Sequence, residues 1–223
     1  MKLFVIPDIH GCLGELKYVL SFIEFRMEAD DKIIFLGDYI HGGEDSLGVL
    51  DCIINLQNKY GSERVVALLG NHEEWVLKGY SSIESIQADS FSDVDDRYLY
   101  WIENLPRFYQ ESNTIFVHAG IDESLGPDWD YTDDYTLTNK YPADIGKIEG
   151  LEFKVVAGHI STSEISGDDR FSEIYFDGYS HYYLDGDVLK NELNVMMIVT
   201  GEVEDEYYEL RENSEYRIGK YEG

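Results

Sequence analysis

Short apolar runs alternate with amphipathic stretches through the first third of this chain, and this alternation limits the folds open to it. The runs KLFVI (2–6), DKIIFLGD (31–38) and RVVALLGN (64–71) are rich in β-branched residues and bounded by Pro, Gly or charged residues, as buried strands are. Helical spacing of apolar residues marks LGELKYVLSFIEFRM (13–27) and SLGVLDCIINLQNKYG (46–61). The alternation predicts parallel βαβ units in an α/β fold.

The rest of the chain divides into a polar middle and a strand-rich second half. Residues 81–110 are interpreted as a possible helical insert, with its best helical stretch ending before Pro106. From Thr114 onward the strand-like runs are TIFVHAG, FKVVAGHI, SEIYFDG, HYYLDG and VMMIVT. Residues 201–223 form an acidic C-terminal tail with alternating aromatics, either an edge strand or a loosely held end. Without a repeat or a low-complexity linker, we predict one domain over residues 1–223.

Charge narrows the range of partners. The 223 residues contain 17 Lys+Arg and 45 Asp+Glu, a formal net charge of −28, which repels nucleic-acid polymers and anionic membranes. No apolar run approaches the roughly 20 residues of a membrane span, and the N-terminus lacks the pattern of a signal peptide. Two cysteines without CxxC spacing do not suggest a disulfide framework, so we expect a cytoplasmic protein.

Polar residues follow directly after five of the predicted strands. In open α/β sheets, functional residues gather beyond the carboxyl ends of the strands. Glycines flank most of these positions, as suits a backbone that turns sharply in a crowded place. The residues are Asp8 and His10 (IPDIHG), Asp38 (FLGDY), Asn71 and His72 (LLGNHEE), His118 (FVHAG) and His159 (VVAGHI).

The chemistry of this set indicates metal binding. Carboxylates, imidazoles and one amide oxygen, without thiolates, suit Mn²⁺ first, with iron or Zn²⁺ as alternatives. So many ligands exceed the needs of one ion, whereas two divalent metal ions roughly 3.5–4 Å apart are usual for phosphate ester hydrolysis. Each residue alone is more often structural, and an Asn-His pair at a helix start is an ordinary capping sequence. The prediction depends on their repetition at successive strand ends.

In this order the motifs PDIHGCLGEL, GDYIHGGEDSLGVLD, LLGNHEE, FVHAGI and VVAGHIST resemble the calcineurin-like metallophosphoesterases, and specifically their serine/threonine protein phosphatase branch. The resemblance covers about residues 3–162. It implies a four-layer α/β/β/α sandwich with a dinuclear metal site at the strand ends. As a set the motifs are specific, although each alone is not.

The resemblance also implies a role for each residue. Asp8 and His10 would hold the first metal, Asp38 would bridge both, and Asn71, His118 and His159 would hold the second. His72 would face the substrate and protonate the leaving alkoxide. Hydrolysis would proceed by a hydroxide that bridges the two metals and attacks phosphorus in line.

The loop GDYIHGG departs from the family pattern GDxxDRG. His41 stands in place of an aspartate that orients the catalytic histidine, and Gly42 in place of an arginine that grips phosphate. Leu69 replaces a second family arginine. Three interpretations follow. His41 replaces some of the lost charge by contacting phosphate or the leaving group, or the pocket takes an ester that needs no arginine clamp, or the loop has drifted while metal binding remained.

Two further positions are candidates from the sequence. Lys140, in TLTNKYP, lies where related enzymes often place a basic residue near the substrate, although a solvated surface lysine is the more common explanation. His181, in GYSHYYLDG, is interpreted as a structural histidine among tyrosines rather than a residue of the pocket rim.

The leading functional prediction is phosphomonoester hydrolysis of the serine/threonine protein phosphatase type, on a phosphoprotein or a small phosphoester. The alternative is a nucleotide, dinucleoside polyphosphate or phosphodiester hydrolase, because the missing arginines weaken the case for the usual substrate. A second alternative is a catalytically weak, metal-bound binding protein of the same fold.

Overall fold

Two mixed β-sheets face each other, and helices cover the outer face of each. The structure, a computed structural model, describes residues 1–85 and 96–223. Its strands are β1 (Lys2–Ile6), β2 (Lys32–Phe35), β3 (Val65–Ala67), β4 (Phe108–Glu111), β5 (Thr114–Val117), β6 (Lys154–Ala157), β7 (Tyr175–Phe176), β8 (His181–Tyr183), β9 (Met196–Val199), β10 (Glu206–Arg211) and β11 (Ser214–Arg217). Its helices are α1 (Leu13–Arg26), α2 (Ser46–Tyr60), α3 (Asn71–Leu77), α4 (Asp96–Glu103), α5 (Asp134–Asn139) and α6 (Thr162–Ser166), with a kinked 3₁₀ segment at Glu123–Tyr131.

The first sheet has the strand order β11-β10-β9-β1-β2-β3. Strands β1, β2 and β3 run parallel and are joined through α1 and α2, which confirms the predicted βαβ units. Helix α2 ends at Gly61, whose φ of 91° is a conformation that glycine adopts at little cost. The remaining half of this sheet is antiparallel.

The second sheet has the order β4-β5-β6-β8-β7, with β5, β6 and β8 parallel to one another. Strand β4 was missed by the sequence analysis. It lies at the edge of the sheet, where its residues are exposed or half-buried, so its side chains lack the apolar run of a buried strand.

Alternation along the strands produces the layers. Phe4 and Ile6 of β1 pack under α1 and α2, while Leu3 and Val5 point to the opposite face and contact the second sheet. Burying one such side chain stabilises the fold by roughly 1.5–3 kcal/mol. A third cluster, which includes Ile115, covers the outer face of the second sheet beneath the 3₁₀ segment and α5. The four-layer α/β/β/α prediction is confirmed.

The predicted insert at 81–110 is only partly helical among the described residues. Helix α4 matches the predicted helical stretch, but residues 108–110 belong to β4. The segment 86–95 lies outside the described residues. In the acidic tail, β10 and β11 form a hairpin at the edge of the first sheet. In the part of the chain that the structure describes, no helix combines the length and hydropathy of a membrane span.

The parallel strands end together. Ile6 pairs with Phe35 and Phe35 with Ala67 in the first sheet, and Phe116 pairs with Val156 in the second. The loops that follow β1, β2, β3, β5 and β6 therefore meet at one edge of the sandwich. Every predicted site residue except His41 and Lys140 lies in the first few residues after one of these strands.

Candidate metal centre

The loops that carry the site are held in unusual backbone conformations. His10, Asp38, His41 and His159 all have positive φ, at 49°, 52°, 74° and 66°. Residues other than glycine adopt this left-handed backbone region at a cost of roughly 1–2 kcal/mol each. Strained residues of this kind cluster where function requires a particular side-chain position.

Asp38 lies at the centre of the cluster and is shared by two groups of donor atoms. In one group its Oδ2 lies 3.9 Å from His10 Nε2 and 3.8 Å from His72 Nε2. On the other side, its Oδ1 lies 3.4 Å from His118 Nε2, in a group completed by His159. The donor atoms within each group lie within 4.8 Å of one another. One carboxylate with an oxygen toward each group is the geometry of a bridging ligand.

His118 and Asn71 test whether this cluster suits a cation. His118 Nδ1 lies 3.1 Å from the Leu36 carbonyl, which can only accept, so Nδ1 carries the proton. Burial lowers the pKa of His118, which leaves the ring neutral and Nε2 with a free lone pair. That lone pair lies 2.9 Å from Asn71 Oδ1, also an acceptor. Two acceptors directed at each other without a proton between them fit a shared metal ion.

Asp8 adds a buried carboxylate to the same place. Its two oxygens accept the His159 backbone N–H at 3.0 and 3.1 Å. Burial and the nearby charges of Asp185 and Asp38 raise its pKa well above the ordinary value. Buried carboxylates that repel one another need a compensating cation, so the donor set fits divalent metals.

The pKa of Asp38 is set by burial and by its imidazole neighbours. Burial alone would raise its pKa, but His118, His72 and His10 together lower it to about 2. Glu73, fully buried, fixes the backbone beside it. One Glu73 oxygen accepts the Asp38 N–H at 2.9 Å and the other accepts the Tyr39 N–H at 2.8 Å. The sequence analysis did not single out Glu73, because its contacts join loops that are distant in sequence.

His72 is the second residue of helix α3, directly after Asn71. Its backbone N–H donates to Asp38 Oδ1 at 3.0 Å, and its ring stacks on Trp75 with a centroid distance of 4.3 Å. Burial, and then the neighbouring rings of His10, His41 and His159, lower its pKa to about 4. In the protein without bound metal or substrate, His72 is neutral at neutral pH.

His41 has partners other than the predicted phosphate. Its side chain is 2% exposed, and its Nδ1 lies 2.9 Å from His72 Nδ1. Its Nε2 lies 2.6 Å from the Ser82 carbonyl. With both ring nitrogens engaged inside the protein, His41 has no free donor for a substrate. His72 therefore has a side-chain partner at the position where the family pattern has an aspartate.

The structure explains why Gly42 and Leu69 stand where the family pattern has arginines. Gly42 has a φ of 110°, and a Cβ there would lie 2.9 Å from a Leu189 methyl carbon. Leu69 is buried in the core beneath α1 and α2. An arginine at 42 would strain the loop, and one at 69 would bury a charge.

Lys140 is neutralised within the protein. Its Nζ donates to the Ile121 carbonyl at 2.6 Å and pairs with Glu123 and with Asp144, the latter at 2.7 Å. Phosphate contact by Lys140 would require these bonds to break. Close by, His181 lies between Asp177 at 3.1 Å and Glu123 at 3.3 Å, which agrees with the structural interpretation of this histidine.

A cleft of about 400 Å³ opens beside the centre. Its described lining includes His10 and His159 together with Asp185, Asp187 and Glu164, and no lysine or arginine. Asp185 was not among the predicted site residues. It is the second residue after β8, and the other polar residues also lie shortly after their strands, so the same strand-end pattern in HYYLDG could have identified it.

The fold and this centre define a class of protein. The family model of the calcineurin-like phosphoesterases matches residues 1–201, and the chain belongs to this family. This family implies divalent metal ions, and the described residues include two His/Asp groups that could hold them.

A symmetrical bis(5'-nucleosyl)-tetraphosphatase of Wigglesworthia glossinidia brevipalpis is 33% identical over 153 residues, covering 65% of this chain and 53% of the relative. One from Marinomonas sp. is 32% identical over 150 residues, covering 63% and 50%. The chain thus spans about half the length of these relatives.

Solved structures share the fold at low identity. A cold-active protein-tyrosine phosphatase of a Shewanella species superposes with a TM-score of 0.72 at 13% identity, covering 98% of this chain and 80% of that one. A protein serine/threonine phosphatase of Saccharomyces cerevisiae superposes at 0.58 with 16% identity, covering 90% and 73%. At this identity the likeness concerns the fold alone.

Proposed function

We propose that this protein hydrolyses dinucleoside polyphosphates and cleaves a dinucleoside tetraphosphate symmetrically into two nucleoside diphosphates. The likeness to symmetrical bis(5'-nucleosyl)-tetraphosphatases, at 33% identity over 153 residues, carries the choice of substrate. This reverses the order of the predictions, because the comparisons support the stated alternative better than the phosphoprotein reading.

The chain's own residues supply the framework of the reaction. Asp8 and His10 would hold one metal, Asn71, His118 and His159 the other, and Asp38 would join them. Bound there, Mn²⁺, or alternatively iron or Zn²⁺, would lower the pKa of a water molecule and neutralise charge on the phosphate oxygens. His72, whose Nε2 lies 3.8 Å from Asp38 Oδ2, would give a proton to the leaving oxygen.

The properties of His72 favour an anhydride over an alkyl ester. With a pKa of about 4 in the protein alone, His72 is rarely protonated at neutral pH. A bound anionic phosphate favours its protonated form. The leaving group in a tetraphosphate is a phosphate oxygen, whose pKa is near 6. The alkoxide released from phosphoserine is a far stronger base and depends more on protonation.

The lining of the cleft agrees with a nucleoside-containing substrate. Carboxylates accept hydrogen bonds from ribose hydroxyls, whereas a protein phosphatase needs donors that grip a dianionic phosphate. Among the described residues of the cleft, Asp185, Asp187 and Glu164 are acceptors. Tyr141, 69% exposed and hydrogen-bonded to Glu164 at 2.7 Å, offers a face for a base to stack on.

The test is a substrate panel on the metal-loaded protein with product analysis. Diadenosine tetraphosphate, p-nitrophenyl phosphate, bis-p-nitrophenyl phosphate and a phosphoserine peptide would be compared at equal concentration, with Mn²⁺, Fe²⁺ or Zn²⁺ and with a chelator as control. We expect the tetraphosphate to be the best substrate and ADP the sole nucleotide product. Equal amounts of ATP and AMP, or faster hydrolysis of the phosphopeptide, would contradict the proposal.

We also propose a cytoplasmic location. Both cysteines are free, Cys12 buried and Cys52 half-buried, as expected where thiols stay reduced. Fractionation of the source cells with an antibody to the protein would test this. Recovery outside the cytoplasmic fraction would contradict it.

A further inference from the structure

We propose that His41 is a positioning residue that fixes the ring tautomer of His72 and directs its Nε2 toward the metal centre. This inference rests on the proposed role of His72 as the proton donor. The observation behind it is a chain of hydrogen bonds from the Ser82 carbonyl through both rings to the neighbourhood of Asp38.

The assignment of protons starts at Ser82. Its backbone carbonyl can only accept, so His41 Nε2, 2.6 Å away, carries a proton and donates it. A turn holds this carbonyl, because the Ser82 N–H donates to the Ser85 carbonyl at 3.0 Å. In the neutral His41 ring, Nδ1 then carries no proton, and its lone pair can accept a hydrogen bond.

The acceptor at His41 determines the state of His72. Since the two Nδ1 atoms lie 2.9 Å apart, the proton between them belongs to His72. His72 Nε2 is left facing Asp38 Oδ2 at 3.8 Å, on the side of the metal centre. Carbonyl, imidazole and imidazole form a relay that contains no carboxylate.

The position of His41 is itself fixed from several sides. Its backbone N–H donates to the Ser46 hydroxyl at 3.0 Å, at the first residue of α2. Its φ of 74° is costly for a histidine, and its ring is buried. A strained, buried imidazole with both nitrogens paired serves orientation rather than surface recognition.

The same hydrogen bond serves both states of His72. In the protonated ring, Nδ1–H donates to His41 and Nε2–H is available to the leaving oxygen. When the P–O bond breaks, the leaving oxygen takes the proton from Nε2, and the ring becomes neutral with Nδ1–H retained. No further proton movement is needed for His41 to remain the acceptor.

The first test reads the ring protons directly and needs no activity. Long-range ¹H–¹⁵N NMR spectra of the labelled full chain, metal-free and Zn²⁺-loaded at pH 8, report which nitrogen of each of the six histidines is protonated. The His41→Asn variant identifies the His41 signals. We expect His41 to be protonated at Nε2 and His72 at Nδ1. The reverse tautomer on either ring would overturn the proposal.

The second test uses leaving groups of different basicity. His41→Gly suits the positive φ and removes the acceptor, whereas His41→Asn keeps an oxygen near the place of Nδ1. For His41→Gly we expect kcat on p-nitrophenyl phosphate to fall about tenfold, and on phenyl phosphate several times further, with KM little changed. His41→Asn should stay within about threefold of the natural protein.

Ser112→Gly is the matched control, because Ser112 also has a positive φ, 52°, and lies in the turn between β4 and β5. It should leave both rates unchanged. Equal losses on the two esters, or no loss in His41→Gly, would overturn the positioning role. If the natural protein hydrolyses neither these esters nor a dinucleoside tetraphosphate, the proposed function fails, while the NMR tautomers still decide the place of His41.

Discussion

At the scale of single residues, Asp38 is the side chain that joins the two groups of possible metal ligands. Its two oxygens face different donor groups, so we propose that this one carboxylate would bridge two metals. Glu73 accepts the backbone N–H groups of Asp38 and Tyr39, and His118, His72 and His10 lower the pKa of Asp38. No other described residue belongs to both donor groups.

Replacing Asp38 with Asn should remove the bridge while keeping the shape of the side chain. We expect the metal content to fall from two ions to one or fewer, and turnover to fall by about a hundredfold to a thousandfold, since charge stabilisation of this size is lost. Elemental analysis and steady-state rates would measure both. The exposed Asp30→Asn is a charge-matched control that should behave as the natural protein. Retained turnover in Asp38→Asn would contradict a dinuclear centre.

At the scale of elements, glycines in the strand-end loops leave space for carboxylates to lie against the backbone. A Cβ at Gly158, after β6, would lie 2.0 Å from Asp8 Oδ1, and one at Gly70, before α3, 2.2 Å from Asp38 Oδ1. Both glycines therefore make room for proposed metal ligands delivered by another strand. The same loops place the His159 N–H and the Asn71 amide where they contact those ligands or their neighbours.

Gly158→Ala should displace the Asp8 carboxylate without altering the chemistry of any ligand. We expect the Mn²⁺ concentration that gives half-maximal activity to rise by about tenfold to a hundredfold, as when a group that orients ligands is lost. Gly219→Ala, where a Cβ would meet no atom within 4 Å, is the control. An unchanged Mn²⁺ requirement in Gly158→Ala would show that Asp8 does not need its present position.

His181, the first residue of β8, forms a buried ion pair with Asp177 that should make stability depend on pH. Burial opposes the charges, but hydrogen bonds with Asp177 and Glu123 raise the pKa of His181. Asp177 accepts N–H groups from His181, Gly146 and Tyr179, and its pKa falls to about 2 despite burial. The contribution of His181 is complete below pH 6.5 and is lost as pH rises through its raised pKa. That of Asp177 is lost only as pH falls from 3.8 toward 2.

His181→Gln should therefore cost more free energy of unfolding at pH 6 than at pH 9, as measured by urea denaturation. The control is Arg170→Gln, which breaks an exposed pair and should show little effect at either pH. A cost for His181→Gln that is equal at both pH values, or larger at pH 9, would contradict the charged pair.

At the scale of the whole molecule, a net charge of −28 surrounds a centre proposed to receive an anion. Long-range repulsion should slow the approach of a polyphosphate, and salt should relieve it, because the Debye length shrinks from about 30 Å at 0.01 M to about 8 Å at 0.15 M. We expect kcat/KM to rise over this range, more for diadenosine tetraphosphate than for the singly charged bis-p-nitrophenyl phosphate. A flat or falling profile for the tetraphosphate would contradict this expectation.

The sequence by itself determined the βαβ units and the candidate donor set, whereas the sandwich was implied by the family resemblance. Apolar runs of strand length separated by helical spacing require βαβ units, because only that arrangement buries both faces of the strands. Polar residues after successive parallel strands must meet at one edge, since parallel strands carry their carboxyl ends there. Asp8, His10, Asp38, Asn71, His118 and His159 could thus be predicted as candidate ligands from the sequence. Strand β4 escaped because an exposed edge strand leaves no apolar pattern.

Only the tertiary structure decided which groups His41 and Lys140 contact. Hydrogen bonds between residues distant in sequence join His41 to His72 and Ser82, and no local pattern encodes them. Lys140 forms ion pairs with Glu123 on the 3₁₀ segment and with Asp144 in the loop after α5. These pairs occupy the ammonium group that the sequence analysis assigned to the substrate. Local sequence fixes which face of an element is buried, because side-chain direction follows the backbone period. The partner of a polar atom is fixed by the packing of separate elements, which exists only once the chain has folded.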